Sequence, residues 1–333
     1  MPILDKTNKI QVAKYIEFLK GKDNTAITQD FDFLSSDQNN NFEIVYLEKN
    51  DNIIATMALS IMPVNKKYNI LYCCRGPVCD IYNLSDVVEL VNESKLLVDK
   101  YNAIMLIMDP EVERNERLEK LYKTKGFKVC QKLPFDFLKE DTDSRMILSL
   151  ETMNSKNIME NLQDKARYYI ETAEKRNIYI KASTTKRELD KFIKLYENEN
   201  VLRFQDVRNF QTFKNLLKTF DNDVIRTYVA SVDGKTLCAA VVCNYKGKIS
   251  CLKEVCLNDS LGTAARAKMH YEIIKWGINS NCTQYDMGQP DAKNNRFKEL
   301  FTTKDGLIKY IGKICKIYNN LPLFFLKIRG GKL

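Results

Sequence analysis

A segment late in the chain repeats one from its first half, and that repeat limits the folds available. Asn115-Glu116-Arg117-Leu118-Glu119-Lys120-Leu121-Tyr122-Lys123-Thr124-Lys125 returns as Asn294-Asn295-Arg296-Phe297-Lys298-Glu299-Leu300-Phe301-Thr302-Thr303-Lys304. Both read Asn-x-Arg-apolar-charged-charged-Leu-aromatic-x-Thr-Lys, and each runs on to a glycine, Gly126 and Gly306. Position 115 maps onto position 294, an offset of 179 residues in a chain of 333. An offset near half the length is expected of a duplicated domain, and a chain this long accommodates two domains of ordinary size. The expected division is 1–150 and 151–333, with the seam inside 151–160.

The order of elements agrees with duplication. Apolar spacing predicts an opening helix over 5–19. Strands follow over 42–47, 53–61 and 68–74, rich in Ile, Val and Tyr and separated by polar turns. A helix over 86–101 leads to the unbroken apolar run Ala103–Met108, the pattern of a strand buried on both faces. A helix over 114–124 closes at Gly126. The second half reads as helices over 163–176, 184–197 and 209–219, with a strand over 179–182. Strands over 224–232, 236–244 and 248–257 come next, turning at Asp233-Gly234 and Lys246-Gly247. Then come a helix over 262–276, a strand over 283–287, a helix over 294–303 and a last strand over 310–318. A meander followed by helix, strand and helix matches the acetyltransferase-like (GNAT) topology. The fold class expected is therefore α/β with mixed sheets, in two tandem GNAT-like domains.

Several function classes are excluded at this stage. No apolar run approaches the roughly 20 residues that span a bilayer, and the N-terminus lacks the charged and apolar regions of a signal peptide. One histidine and no Cys-x-x-Cys leave no zinc pattern, so no metal site is expected. The ten cysteines fall mostly in strand-like stretches and read as reduced, buried thiols of a cytoplasmic protein. The net charge of +9 is concentrated at the C-terminal end: from Lys293 onward ten basic residues face only Glu299 and Asp305. Such a segment is either a solvated lysine-rich surface or an edge that meets a polyanion, whether phosphate, nucleic acid or an anionic membrane surface.

A working acetyltransferase needs a glycine-rich loop whose amides cradle the coenzyme A pyrophosphate at a helix N-terminus. The first half offers Arg75-Gly76-Pro77-Val78, where proline lacks the N–H. The second offers Asp259-Ser260-Leu261-Gly262-Thr263-Ala264, led by a carboxylate that repels a diphosphate. No coenzyme or other cofactor is expected. His270 has no serine or cysteine at motif spacing and reads as a packed or surface residue.

Five further motifs occur in order: Arg75-Gly76-Pro77-Val78, Met108-Asp109-Pro110-Glu111, Lys165-x-Arg167-x-x-Ile170-x-x-Ala173, Arg208-x-x-x-x-Phe213, and Tyr285-Asp286-x-Gly288 followed by Phe297-Lys298-x-x-Phe301. Together they resemble the FemABX family of aminoacyl-tRNA-dependent peptidyltransferases, in its short, FemX-like form without a helical-hairpin insertion. The resemblance covers nearly the whole chain and implies two GNAT-like domains. It also implies transfer of an aminoacyl group from tRNA to an amine of a muramyl stem peptide, UDP-linked or lipid-linked, with no DNA partner.

The resemblance assigns roles residue by residue. Lys298, with Phe297 beside it, would stabilise the oxyanion formed when the ester is attacked. Asp109 would hold the acceptor amine or accept its proton. Arg208 would grip the acceptor's phosphates, and Tyr285, Asp286 and Arg75 are further candidates for substrate binding, Arg75 alternatively shaping its turn. The chain departs from the family in three places. Gln29-x-x-x-Phe33 is followed by no lysine near Ser36-Asp37, Thr212 stands where a tyrosine is usual, and Gly288-Gln289 replaces a glycine pair. Between the repeat copies, Glu119 occupies the place of Lys298, so only the second copy can stabilise an acyl oxyanion, and the active site is expected in the second half, facing the cleft between domains. Two other readings are a coenzyme-A-dependent N-acyltransferase and a non-catalytic duplicate that binds tRNA or precursor.

Overall fold

The computed structural model describes residues 3–23, 25–36, 41–130, 144–199, 204–291, 296–302 and 306–320. In chain order the first elements are α1 (Lys9–Lys20), α2 (Phe31–Ser36), β1 (Phe42–Lys49), β2 (Asn52–Pro63), β3 (Asn69–Cys73), α3 (Leu84–Glu93), α4 (Lys95–Lys100), β4 (Ala103–Met108), α5 (Glu116–Thr124), β5 (Lys128–Cys130) and β6 (Ser144–Ser149). Then come α6 (Asp164–Lys175), β7 (Tyr179–Ser183), α7 (Lys186–Glu199), α8 (Phe204–Thr219), β8 (Ile225–Val232), β9 (Lys235–Tyr245), β10 (Lys248–Cys256), α9 (Ser260–Asn279), β11 (Gln284–Asp286), β12 (Leu307–Lys309) and β13 (Lys313–Ile317). Among the described residues no helix is long and apolar enough to cross a membrane.

The chain divides into two compact units, Met1–Ser144 with Lys309–Leu333, and Arg145–Ile308. The first is built on a sheet in the order β1-β2-β3-β4-β13-β5, the second on a sheet in the order β12-β6-β11-β10-β9-β8-β7. With the edge strand β7 set aside, the orders superpose: β1 to β5 correspond to β8 to β12, and β13 in one sheet takes the place of β6 in the other. Each half begins with an antiparallel meander, then adds a strand parallel to the third, β4 beside β3 and β11 beside β10. The closing strand of each half, however, enters the sheet of the other. The units therefore depart from the simple 1–150 and 151–333 division. A backbone hydrogen-bonding edge is filled by whichever strand fits it, and nothing local in β6 or β13 names its partner.

Local chemistry explains the elements that lead to the site. The Asn8 side chain accepts hydrogen bonds from the Ile10 and Gln11 amides and starts α1, which buries Tyr15 and Leu19. All six residues of β4 are buried. Leu106 and Met108 pack with Val87, Leu90, Leu118 and Tyr122, whereas Ile104 and Ile107 pack with Val64, Ile70 and Cys315, so both faces of the strand are covered. In the second meander, Asp233-Gly234 and Lys246-Gly247 have positive φ at both residues, the geometry of tight hairpin turns that match strand twist.

Three expectations are corrected. The helix expected over 86–101 is two helices, α3 and α4, meeting at fully buried Ser94, whose hydroxyl donates to the Val91 carbonyl. The helix expected over 294–303 is, within the described residues, a single 3-10 turn over Lys298–Leu300. Its first amide, on Lys298, is taken by the Asp291 carboxylate from outside the segment. The cysteines are not all free thiols: Cys238 and Cys256 form a disulfide, because the β9–β10 register sets them opposite each other with Cα atoms 4.0 Å apart.

Candidate active site

Lys298 lies in the second unit, only 9 % exposed, at the start of the 3-10 turn. Its Nζ donates to the Gln289 carbonyl at 2.7 Å, and its backbone N–H donates to Asp291 Oδ2 at 2.7 Å. Both acceptors sit on the loop after β11, which must bring backbone close to an ammonium. Gly288 makes this possible through its backbone: its φ is +88°, a conformation that L side chains rarely adopt. The loop is tied back by Asp286, whose Oδ1 accepts from the Gly288 amide at 2.8 Å and whose Oδ2 accepts from Arg145 Nε at 3.0 Å.

Beside the lysine is a hydrogen-bonded chain in which His270 and Tyr285 are fully buried and Glu254 mostly so. His270 Nδ1 is 2.7 Å from the Tyr285 hydroxyl, and Nε2 is 2.8 Å from Glu254 Oε2. Glu254 and Asp291 both pair with the guanidinium of Arg266, Asp291 at 3.1 Å. Burial works to raise the Glu254 carboxyl, but Arg266, His270 and Lys298 outweigh it and hold it well below the usual range. Burial lowers the His270 imidazole; Glu254 opposes this, and Arg266 and Lys298 reinforce it. An ionised Glu254 only accepts hydrogen bonds and a neutral imidazole has one N–H, so that proton sits on Nε2 and Tyr285 donates to Nδ1. Burial, with the ionised Glu254 carboxylate close by, pushes the Tyr285 phenol well up, which keeps it a donor.

Aromatic rings wall this chain. Phe297 and Phe301 lie 5.3 Å apart between centroids, and the His270 ring is within 5.8 Å of both and of Tyr285. The Arg266 guanidinium stands 4.2 Å over the Phe297 ring, a cation–π distance. The structure thus brings together Lys298, Phe297, Tyr285 and Asp286. Tyr285 and Asp286 are buried with their polar atoms on protein partners.

Asp109 and Arg75 come together in the first unit. Asp109, at the end of β4, accepts from the Tyr72 hydroxyl at 2.6 Å through Oδ2 and from the Arg75 amide at 2.5 Å through Oδ1. The β4–β13 register places Lys313 across from it, buried like it. Burial pushes the Asp109 carboxyl up, with Arg75, Tyr72 and Lys313 pulling the other way. The Arg75 side chain lies 3.5 Å from Glu111 and over the ring of Tyr310, and its backbone has φ +53°. Gln29 supports the same turn, donating to the Cys74 carbonyl at 2.7 Å and accepting from the Ala58 amide at 3.0 Å.

Arg208 lies on α8, but its side chain falls outside the described residues, as do Lys293, Lys304, Lys327, Arg329 and Lys332 of the basic C-terminal segment. At the start of α9, Asp259 Oδ1 accepts from the Gly262 amide at 2.6 Å, so a carboxylate of the protein already occupies the position a diphosphate requires. Sequence reasoning passed over Glu254, Arg266 and Asp291, met Gln289 only as a departure from a glycine pair, and read His270 as packed or surface; it is packed, with no exposed area. One signal was available: Arg266 and His270 are four apart on a helix and share a face.

Residues 10–255 match the FemAB family. The UDP-N-acetylmuramoylpentapeptide-lysine N(6)-alanyltransferase of Weissella viridescens is 26 % identical over 329 residues, covering 95 % of this chain and 96 % of that protein. Among solved structures, that of FemX covers 98 % of this chain and 99 % of its own, with a TM-score of 0.76 at 17 % identity. A tandem GNAT protein from the clavulanic acid biosynthesis pathway covers 95 % and 97 %, with a TM-score of 0.58 at 9 % identity. The fold is the tandem GNAT-like one expected from the repeat.

Proposed function

The chain belongs to the FemAB family, and from that premise we propose that it works as an aminoacyltransferase of peptidoglycan cross-bridge synthesis. The donor is aminoacyl-tRNA. The acceptor is the stem-peptide amine of a muramyl-pentapeptide precursor, UDP-linked or lipid-linked, in keeping with the name of the Weissella relative. Charged tRNA and precursor meet in the cytoplasm, and the reaction belongs there. The basic C-terminal segment is assigned to tRNA phosphates or to an anionic membrane surface.

The reaction needs little covalent help, because the aminoacyl ester is already activated. The amine nitrogen attacks the ester carbonyl carbon, the carbonyl oxygen becomes an oxyanion, and the carbon–oxygen bond to the ribose then breaks. The amine loses a proton and the departing ribose hydroxyl gains one. What the enzyme supplies is orientation and charge at the developing oxyanion.

The observation that carries this reading is Lys298: an ammonium fixed by the Gln289 carbonyl, in a nearly buried setting where a charge acts strongly. Phe297 shields that position, while Tyr285 and Asp286 hold the loop and helix that frame it. Asp109 holds the acceptor amine or takes its proton. Its raised affinity for a proton suits either task, and a carboxylate with two hydrogen bonds retains lone pairs for a third partner. Arg75 shapes the turn that presents Asp109, and Arg208 keeps the phosphate-binding role implied by the resemblance. The coenzyme A alternative is disfavoured by the Asp259 cap on α9.

The test is a transfer assay with mixed charged tRNAs and both forms of precursor, read by mass. The precursor should gain one or more aminoacyl residues with the wild-type protein. No gain on either acceptor with any charged tRNA would contradict the proposal.

A further inference from the structure

Arg266 makes contacts that no role assigned so far uses. It projects from α9 and is about nine-tenths buried, with 12 % of its side chain exposed. Two carboxylates converge on it from different elements, Glu254 from β10 and Asp291 from the loop after β11. Asp291 then uses its second oxygen to hold the Lys298 amide, and the guanidinium face carries the Phe297 ring. One cation is thus joined, through a single intermediate, to the backbone of the lysine and, directly, to the ring beside it.

We infer that Arg266 is a positioning residue for the Lys298–Phe297 pair, locking the 3-10 turn in the geometry that aims the ammonium. This rests on the reading that Lys298 stabilises the oxyanion. Three physical points support it. A 3-10 turn of three residues has little intrinsic stability, so external partners must hold it. Glu254 and Asp291 would repel each other if the guanidinium between them were removed. The guanidinium holds both carboxylates through Nη2 while its plane lies 4.2 Å over the Phe297 ring, a fixed planar arrangement that a flexible, compact ammonium reproduces only in part. Burial tends to lower the Arg266 affinity for its proton, but Glu254 and Asp291 more than reverse this, so the cation persists at every working pH.

The test compares wild type, Arg266→Lys, Arg266→Met and Asp291→Asn, with two readouts. The first, hydrogen exchange in the peptide spanning Phe297–Phe301, needs no substrate. Arg266→Met should speed exchange there by at least about tenfold while leaving the α5 peptide unchanged. The second is steady-state transfer. Misplacement of the ammonium by about an ångström should lower kcat by about 10²-fold with little change in KM. Arg266→Lys should recover part of both losses, and Asp291→Asn, close to isosteric, should reproduce them if Arg266→Met does not fold. Wild-type exchange with wild-type kcat in Arg266→Met, or in Asp291→Asn where the first variant fails to fold, would overturn the inference while leaving the role of Lys298 standing. If Lys298→Met keeps full transfer, the functional reading falls, and the exchange readout still decides whether Arg266 holds the turn.

Discussion

In the first copy of the repeated segment, residues 115–125 form a helix supported by its own neighbours. The Asn115 side chain caps the Leu118 amide, Leu118 and Tyr122 are buried, and Glu119 turns to Arg114 at 3.0 Å. In the second copy the described residues make one 3-10 turn. The Leu118 counterpart, Phe297, is buried under Arg266, and the Glu119 counterpart, Lys298, is held by Asp291 and Gln289. The pattern of apolar residues survived in both copies. What changed is where the backbone amide and the charged side chain find partners: within the segment or at the residue just before it in the first copy, on the loop after β11 in the second. A segment that depends on outside partners can be aimed, and that is the property a catalytic lysine needs.

Truncating the shared aromatic position asks whether the cores remain equivalent. Tyr122 and Phe301 are both essentially unexposed, and Tyr122→Ala and Phe301→Ala should each destabilise by about 3–5 kcal/mol in urea unfolding. A much smaller loss for Phe301 alone would mean that the second copy is loosely packed, and the comparison would break there.

The acid limb of the stability profile sharpens the comparison, since the sole histidine belongs to the second unit. Glu254 on β10, Arg266 on its own helix, Tyr285 on β11 and Lys298 all face it. Unfolded, His270 binds a proton near its ordinary value of 6.5; folded, it binds one only at lower pH. Across that window the unfolded chain carries more protons, so stability falls as pH drops below about 6.5, by at most about 1.4 kcal/mol per pH unit from this one group. The Glu254 carboxyl is depressed as well, and its contribution disappears at still lower pH. His270→Gln should remove the slope just below 6.5. A wild-type profile flat from 7 to 5 would show that the imidazole is not held neutral.

Much of the fold was legible because its signals are local. The unbroken apolar run of β4, the Asp233-Gly234 and Lys246-Gly247 turns, and the capped α5 each announce themselves within a few residues. The exchange of β6 and β13 was not, because a strand carries no mark of its partner. Over 294–303 the periodicity is helical, yet the described residues make one 3-10 turn, whose Lys298 amide is taken by Asp291 from outside the segment. In the site, the resemblance singled out Lys298 and Asp109. The network behind the lysine stayed hidden because Glu254, Arg266, Tyr285 and Asp291 lie on four separate elements or loops, and only folding brings them to His270 and Lys298.

The central claim is that the two copies divide the labour, one structural and one catalytic. Its most direct measurement is steady-state transfer by Lys298→Met and Glu119→Met, each first shown to fold as wild type. Lys298→Met should lower kcat by about 10²–10³-fold, the range for losing one oxyanion donor, with the KM for precursor little changed. Glu119→Met should leave both constants within about twofold, because what it removes is a structural ion pair with Arg114. Equal losses in the two variants, or wild-type kcat in Lys298→Met, would contradict the account.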